Sequence, residues 1–133
     1  MCDVTRQNAT AQVLWYWAPA ALYAGLIFYL SAQSHPEDNL PSFLFKEVSD
    51  KVLHAVEYGI LAVLCYRAFR WASGSAIARQ AVVLAILTAS VYGITDEVHQ
   101  AFVPLRESSW QDWLADTIGA FIGAMSWRSI RPE

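Results

Sequence analysis

Formal charge is scarce in this chain. Asp, Glu, Lys and Arg make up 16% of its 133 residues, whereas 56% are hydrophobic. The segment Val13–Ala32 has no charged residue, and at about 1.5 Å per helical residue it can cross a hydrocarbon core of about 30 Å. The composition therefore favours one membrane-embedded domain. The segment also lacks a convincing small-x-small cleavage site, which favours an anchor over a cleaved signal peptide.

Several signatures of soluble function are also missing. The two cysteines, Cys2 and Cys65, form no CxxC motif, so neither a disulfide nor a thiolate zinc site is expected. The net charge is −3 and no basic stripe interleaves with aromatic residues, which argues against nucleic acid as a partner. There is no P-loop, dinucleotide fingerprint, nucleophile elbow or HExxH motif, and we expect no cofactor and no bound metal.

Four apolar segments are predicted to cross a membrane as helices. They are Val13–Ala32, Val52–Phe69, Ala81–Thr95 and Trp113–Trp127. The short connections between them are typical of antiparallel neighbours in an up-down-up-down bundle. We therefore predict an all-α fold, an integral membrane bundle of four transmembrane helices over residues 13–127. Tails at 1–12 and 128–133 flank it.

Arginine distinguishes one side of this layout. Arginine accumulates in the cytoplasmic connections of membrane proteins, so both termini and both tails are predicted to be cytoplasmic. The opposite side holds the loop Gln33–Ser49, whose apolar run Phe43–Phe45 could dip into the interface or cover helix ends. The arginines on the predicted cytoplasmic side are Arg6, Arg67, Arg70, Arg79, Arg128 and Arg131.

Residues capable of chemistry collect on the opposite, outer side. The segment Ala81–Thr95 has only fifteen uncharged residues, about 22 Å of helix, so it reaches the surface only by including the acids that follow. Because a charge facing lipid is costly, we expect the acids to face one another around an outer cavity. Helical spacing predicts three polar stripes: Asp50, His54, Glu57 and Tyr58; Asp96, Glu97 and Gln100; and Asp112 and Asp116.

Two kinds of active chemistry fit these stripes. His54 and Glu57 stand at i, i+3 and could bind a metal ion together with Asp96, Glu97 or His99, since other helix bundles hold carboxylate–histidine metal sites. Spacing alone is weak evidence for such a site. Adjacent acids in a partly dry cavity could instead divide acid and base roles, with one protonated near neutral pH.

The third interpretation is structural. In this interpretation, Lys51 and Arg106 neutralise the acids in an ion network, because acids near the surface are usually paired in this way. Glu57 then pairs with Lys51 or accepts a hydrogen bond from Tyr58. Arg106 also has the geometry to bind a phosphate or carboxylate through two hydrogen bonds. Its alternative is a salt bridge to Asp112 or Glu97.

These residues carry a family resemblance. The stretches Ser31–Gln33, Asp50–Leu61, Tyr92–Arg106 and Ser108–Gly123 resemble motifs of the VanZ-like family. The resemblance implies a small multi-pass bacterial membrane protein. With the arginine distribution, which predicts that the polar site is extracytoplasmic, we expect it in the cytoplasmic membrane. The founding member is linked to teicoplanin resistance and the biochemical activity is not settled, so the resemblance supplies no reaction and no resistance phenotype.

Two positions depart from the family pattern. Position 116 is often Asn and is Asp here, which adds an acid to the predicted cavity. The residue before Arg106 is often Gly and is Leu105 here, so we expect a less tight turn. The pattern Gly119–Gly123, with small residues four apart, favours close helix packing over a role in ligand binding.

The leading functional prediction is a cell-envelope membrane protein that binds an anionic lipid or the headgroup of a lipid-linked cell-wall precursor. The alternative is a membrane hydrolase or transferase, with His54 or Glu97 as general base and Asp96 as its orienting group. A membrane-protein partner or homo-oligomer stays open. The predicted ligand-binding residues are Lys51, His54, Tyr58, Asp96, Glu97, Gln100, Arg106, Asp112 and Asp116.

Overall fold

The computed structural model describes residues 2–34 and 50–131, with side chains from residue 8 onward. Within these ranges the chain is helical and contains no strand, so the prediction of an all-α fold is confirmed. Most of the predicted loop Gln33–Ser49, including Phe43–Phe45, lies outside the described residues. The helices are α1 (Cys2–Ser31), α2 (Asp50–Trp71), α3 (Ser75–Ala78), α4 (Ala81–Gln100) and α5 (Trp110–Ile130).

Three of these helices are long and apolar enough to cross a membrane. The candidate spans are Asn8–Ser31, Asp50–Trp71 and Ala81–Gln100. Helix α5 is equally long, with 21 residues, but it is not apolar enough to be counted among them. It carries Asp112, Asp116 and Arg128, together with two glycines. A fourth span therefore stays a prediction.

Helix α1 is longer than the first predicted span. It begins at Cys2, inside the segment predicted to be a tail, and continues through Pro19 without a break. Proline removes one backbone donor from a helix interior, and membrane helices tolerate this loss where neighbouring groups re-satisfy the backbone. Helix α1 therefore holds Pro19 in its interior.

The interior of the fold is rich in small and polar residues, whereas many large apolar side chains lie on its exterior. Side chains such as Leu22, Leu87 and Phe121 are more than half exposed, whereas soluble proteins rarely expose large contiguous apolar patches. Close-packed small residues are typical of helix contacts inside membranes. The buried alanines are Ala20, Ala62, Ala68, Ala78, Ala81, Ala85, Ala89, Ala120 and Ala124.

Helices α2 and α5 form the closest pair in the fold. A Cβ atom added to Gly119 would overlap the backbone of Ala55, and one added to Gly123 would overlap the backbone of Gly59. We call these four residues the glycine seam. Residue numbers rise together along both helices, so α2 and α5 run parallel. The packing interpretation of Gly119–Gly123 agrees with this geometry.

The other contacts place α1 and α4 antiparallel to that pair. Near one end of the fold, Gln12 of α1 donates a hydrogen bond from Nε2 to the Trp71 carbonyl at 2.8 Å, which satisfies a carbonyl left open at the end of α2. Further along, the Tyr92 hydroxyl of α4 donates to the Ala24 carbonyl at 2.6 Å. The short connections do produce antiparallel neighbours, but the closest pair is the parallel, non-consecutive one.

Candidate functional site

Two side-chain contacts link α2 to α5 at one end of the glycine seam. Lys51 Nζ forms an ion pair with Asp112 Oδ1. One helical turn further, His54 Nδ1 lies 2.9 Å from Asp116 Oδ1. Asp116 is completely buried, and His54 and Asp112 are each less than 9% exposed. The contact between Gly119 and Ala55 brings the helices close enough for these short side chains to meet.

The stripe on α4 completes this end of the fold. Gln100 donates from Nε2 to Asp96 Oδ2 at 2.9 Å, one turn apart on the same helix. The Ser109 amide donates to Glu97 Oε2 at 2.7 Å, and the Ser109 hydroxyl accepts from the Gln111 amide to cap α5. Glu97 therefore fixes the start of α5, which carries Asp112 and Asp116. We call this region the acidic end.

The acidic end buries more acid than base. Four carboxyl groups are less than 9% exposed, and His54 is the one similarly buried base among the described residues. Several of their oxygen atoms make no hydrogen bond within the described structure: Asp96 Oδ1, Glu97 Oε1 and Asp116 Oδ2, together with the Tyr58 hydroxyl. Buried polar groups without partners cost free energy, so these oxygen atoms are the groups of this end that a further partner would satisfy.

A cavity of about 320 Å³ opens beside these groups, between α1, α2 and α4. Its lining is divided by chemistry. One part is apolar, with leucine, isoleucine and valine side chains from α1 and α2. The other part is polar and charged: Ser31, Asp50, His54, Glu57, Asp96, Gln100 and Arg106. The lining of the cavity therefore presents an apolar part and a charged part side by side.

Arg106 reaches this lining from a tight turn. Its amide donates to the Val103 carbonyl at 3.2 Å, and Leu105 before it has φ of 65°. This left-handed conformation costs a residue with a Cβ about 1 kcal/mol. The expectation of a less tight turn at Leu105 is therefore wrong, because leucine adopts the conformation that glycine would adopt without strain. No ion pair to Arg106 occurs among the described residues, Asp112 and Glu97 included.

The structure changes the partners proposed for His54. The sequence suggested Asp96 as its orienting group, but Asp96 bonds Gln100 and it is Asp116 that contacts the imidazole. Stripe positions give only the face of a helix, and the close approach of α2 and α5 decides which carboxylate is in reach. Asp116, treated as an added acid in the sequence, is thus central.

Other predicted pairs also differ. Lys51 bonds Asp112 rather than Glu57, and the Tyr58 hydroxyl has no partner among the described residues. The carboxylate and imidazole groups close enough to share a metal ion are Asp50, His54 and Asp112, and His54, Glu97 and Asp116. Of the residues that the sequence suggested for a metal site, His54 and Glu97 occur in these sets, whereas Glu57, Asp96 and His99 do not among the described residues.

Sequence reasoning missed three residues of this region. Ser31 is 4% exposed and lines the cavity, and its place in the stretch Ser31–Gln33 was the one signal for it. Gly93 lies so close to Asp116 that an added Cβ would stand 3.0 Å from Oδ2. Tyr23 lines the cavity from α1, and no pattern in the sequence marks it.

The family model described as VanZ/LLP1 matches residues 6–131, nearly the whole chain. No curated protein and no solved structure matches this chain.

Proposed function

This chain belongs to the VanZ/LLP1 family of membrane proteins, and we propose that it binds an anionic lipid or the headgroup of a lipid-linked cell-wall precursor at its acidic end. The phosphate or carboxylate of the headgroup lies against Arg106, and the apolar chain lies along the leucine and isoleucine side chains of α1. His54 and Gln100 supply hydrogen bonds to the polar part.

One observation carries this proposal: the divided lining of the cavity beside the buried acids. Ligand cavities are mostly apolar with a few placed polar groups that fix orientation. A guanidinium without an ion-pair partner among the described residues, at the polar edge of an apolar cavity, suits a phosphodiester because it can donate two parallel hydrogen bonds. Asp96 and Glu57 in the same lining disfavour a second anionic group. The cavity therefore favours headgroups that also carry a hydrogen-bond donor.

Lipid co-purification tests the proposal. Native mass spectrometry of the detergent-purified protein should show a retained anionic lipid, and Arg106→Gln should lower its occupancy about tenfold. Arg131→Gln is the matched control, because it removes the same charge from an exposed residue at the other end of the fold. Unchanged lipid retention in Arg106→Gln would overturn the proposal.

A second candidate function, a membrane hydrolase or transferase, is favoured by the pairing of His54 with Asp116. A carboxylate on Nδ1 fixes the tautomer of the imidazole and leaves Nε2 to act as general base, and His54 lines the cavity. Glu97, with one free oxygen, is the other candidate base. Phosphate release from a lipid phosphate ester that survives both His54→Ala and Glu97→Gln would contradict this function.

We also propose that α5 is a fourth span, with both termini cytoplasmic and the acidic end extracytoplasmic. The contact of α5 with α2 supports a fourth span. Gly119 and Gly123 lie against the backbone of α2, so this face of α5 packs against protein and needs no large apolar side chains. The measurement is labelling of single cysteines by a membrane-impermeant maleimide in intact cells, at positions 107 and 131. Position 107 should react and position 131 should not; equal labelling of both would contradict the fourth span.

A further inference from the structure

Three buried side chains from three different helices converge at the acidic end. They are His54 of α2, Glu97 of α4 and Asp116 of α5. Each offers one ligand atom, a ring nitrogen or a carboxylate oxygen, and these atoms all lie within 4.8 Å of one another. Asp116 is completely buried, and His54 and Glu97 are only 8% and 7% exposed. We call these three residues the three-helix cluster.

Two carboxylate oxygens of the three-helix cluster have no hydrogen-bond partner among the described residues. In Glu97, Oε2 accepts from the Ser109 amide at 2.7 Å, whereas Oε1 has no partner. In Asp116, Oδ1 lies 2.9 Å from His54 Nδ1, whereas Oδ2 has no partner. One oxygen of each carboxylate is therefore held in place by the protein, and the other is left for a ligand. Buried atoms of this kind point to a bound group that satisfies them.

The surroundings of the cluster leave its negative charge largely uncompensated. Lys51 is already bonded to Asp112, and Arg106 lies in the lining of the cavity. Even with His54 and His99 both protonated, the carboxyl groups of this end outnumber its cations among the described residues. The described acids here are Asp50, Glu57, Asp96, Glu97, Glu107, Asp112 and Asp116. A bound cation would therefore lower the repulsion among these acids.

We propose that the three-helix cluster binds a divalent transition-metal ion through His54, Glu97 and Asp116. A proton would neutralise one carboxylate and satisfy one oxygen, whereas a metal ion accepts lone pairs from both free oxygens and from the imidazole. One imidazole with two carboxylates suits Zn²⁺, while Mg²⁺ and Ca²⁺ prefer oxygen ligands alone. Because His54 also lines the cavity, an ion at the cluster lies beside that cavity. This site does not require the lipid proposed to bind there.

The lack of a local metal-binding motif does not weigh against this site. Its ligands lie on separate helices at positions 54, 97 and 116, so no short spacing in the sequence relates them. The glycine seam brings His54 to Asp116, and the bond from the Ser109 amide to Glu97 ties α4 to the start of α5. The expectation of no bound metal came from local motifs alone, which do not report on such packing.

The test is metal binding by the full-length protein in detergent, after removal of any affinity tag and extraction of metals with a chelator. Zn²⁺ is titrated by calorimetry, and bound metal is counted by elemental mass spectrometry. The wild type should bind a single Zn²⁺ ion per chain, more tightly than it binds Mg²⁺ or Ca²⁺. Glu97→Gln and Asp116→Asn should each weaken Zn²⁺ binding at least about tenfold. Both variants keep a carbonyl oxygen for the existing hydrogen bond, and circular dichroism checks that they are folded.

Asp50→Asn is the matched control, because it removes one exposed acid from the same end outside the cluster and should leave the Zn²⁺ affinity unchanged. Arg106→Gln removes the proposed lipid contact and should retain the metal, so failure of lipid binding and failure of metal binding are distinguishable. The proposal is overturned if the wild type binds Zn²⁺ no more tightly than Mg²⁺, or if Glu97→Gln and Asp116→Asn bind Zn²⁺ as the wild type does. It is also overturned if Asp50→Asn weakens binding equally, since that would reflect overall charge.

Discussion

The two ends of the α2–α5 pair handle charge in opposite ways. At the acidic end, Asp112 and Asp116 are buried and bonded to Lys51 and His54 across the helix contact. At the opposite end, which we call the arginine end after Arg70, Arg79 and Arg128, Arg128 is exposed and lines a cavity. Buried charges are expensive and persist only when paired or functional, whereas exposed arginines cost little. The difference teaches that the candidate site is distinguished by the burial of its charged residues rather than by their number.

The glycine seam should be the most sensitive part of this comparison, because it brings both halves of the acidic end together. Gly119→Leu places a side chain where the backbone of Ala55 lies, so the helices must separate, and we expect a loss of more than about 3 kcal/mol of stability. Denaturant unfolding in detergent measures it. Gly25→Leu is the matched control, since no atom lies within 4 Å of a Cβ added there; equal losses in both variants would contradict the seam.

The buried pair should come next. Asp116→Ala leaves His54 without its partner in a buried position, and we expect a loss of about 3 kcal/mol. Asp116→Asn keeps an oxygen that accepts from the imidazole, so its cost should be at most about 1 kcal/mol. Thermal unfolding of the two variants measures the difference. Equal stabilities would mean that the hydrogen bond contributes nothing, and the contrast between the two ends would be lost.

The turn before Arg106 offers a stabilising change. Leu105→Gly should relieve the left-handed strain at φ of 65° and raise stability by about 1 kcal/mol. Leu105→Ala removes the same exposed side chain but keeps a Cβ, so it should bring no gain. Comparison of their thermal midpoints with that of the wild type decides the matter; a gain with alanine would mean that strain is not the cause.

The smallest effect should be at the arginine end. Arg131→Gln removes an exposed charge that lies over Trp127, and we expect a change below about 0.5 kcal/mol. Lys51→Gln removes one charge at the acidic end and leaves Asp112 buried without its cation, so its cost should be about 1 kcal/mol. Denaturant unfolding of both variants compares the ends directly. A larger effect at Arg131 would reverse the comparison.

The sequence predicted the helical fold and the composition of the acidic end well. Apolar length gave the approximate positions of α1, α2 and α4, and helical spacing placed His54, Asp96, Gln100 and Asp112 on inward faces, where the structure buries them. These are properties of single helices, which local pattern determines.

The sequence could not give the pairing of those residues. Whether His54 meets Asp96 or Asp116 depends on how closely two helices approach, and that distance is set by Gly119 against Ala55. By hydropathy α5 is not among the candidate spans, because Asp112, Asp116 and Arg128 lower its apolar content. The strained turn at Leu105 departs from the preference of leucine, so no propensity could have indicated it.

The central claim, that the acidic end holds an anionic amphiphile, is tested most directly by photo-crosslinking in the membrane. A photoreactive amino acid is placed at Leu26, which lines the cavity, or at Leu22, which is exposed one turn earlier on α1 and does not line it. We predict that position 26 captures an anionic lipid, that Arg106→Gln abolishes this capture, and that capture at position 22 does not respond to Arg106. The same lipids captured at both positions, with no effect of Arg106→Gln, would contradict the claim.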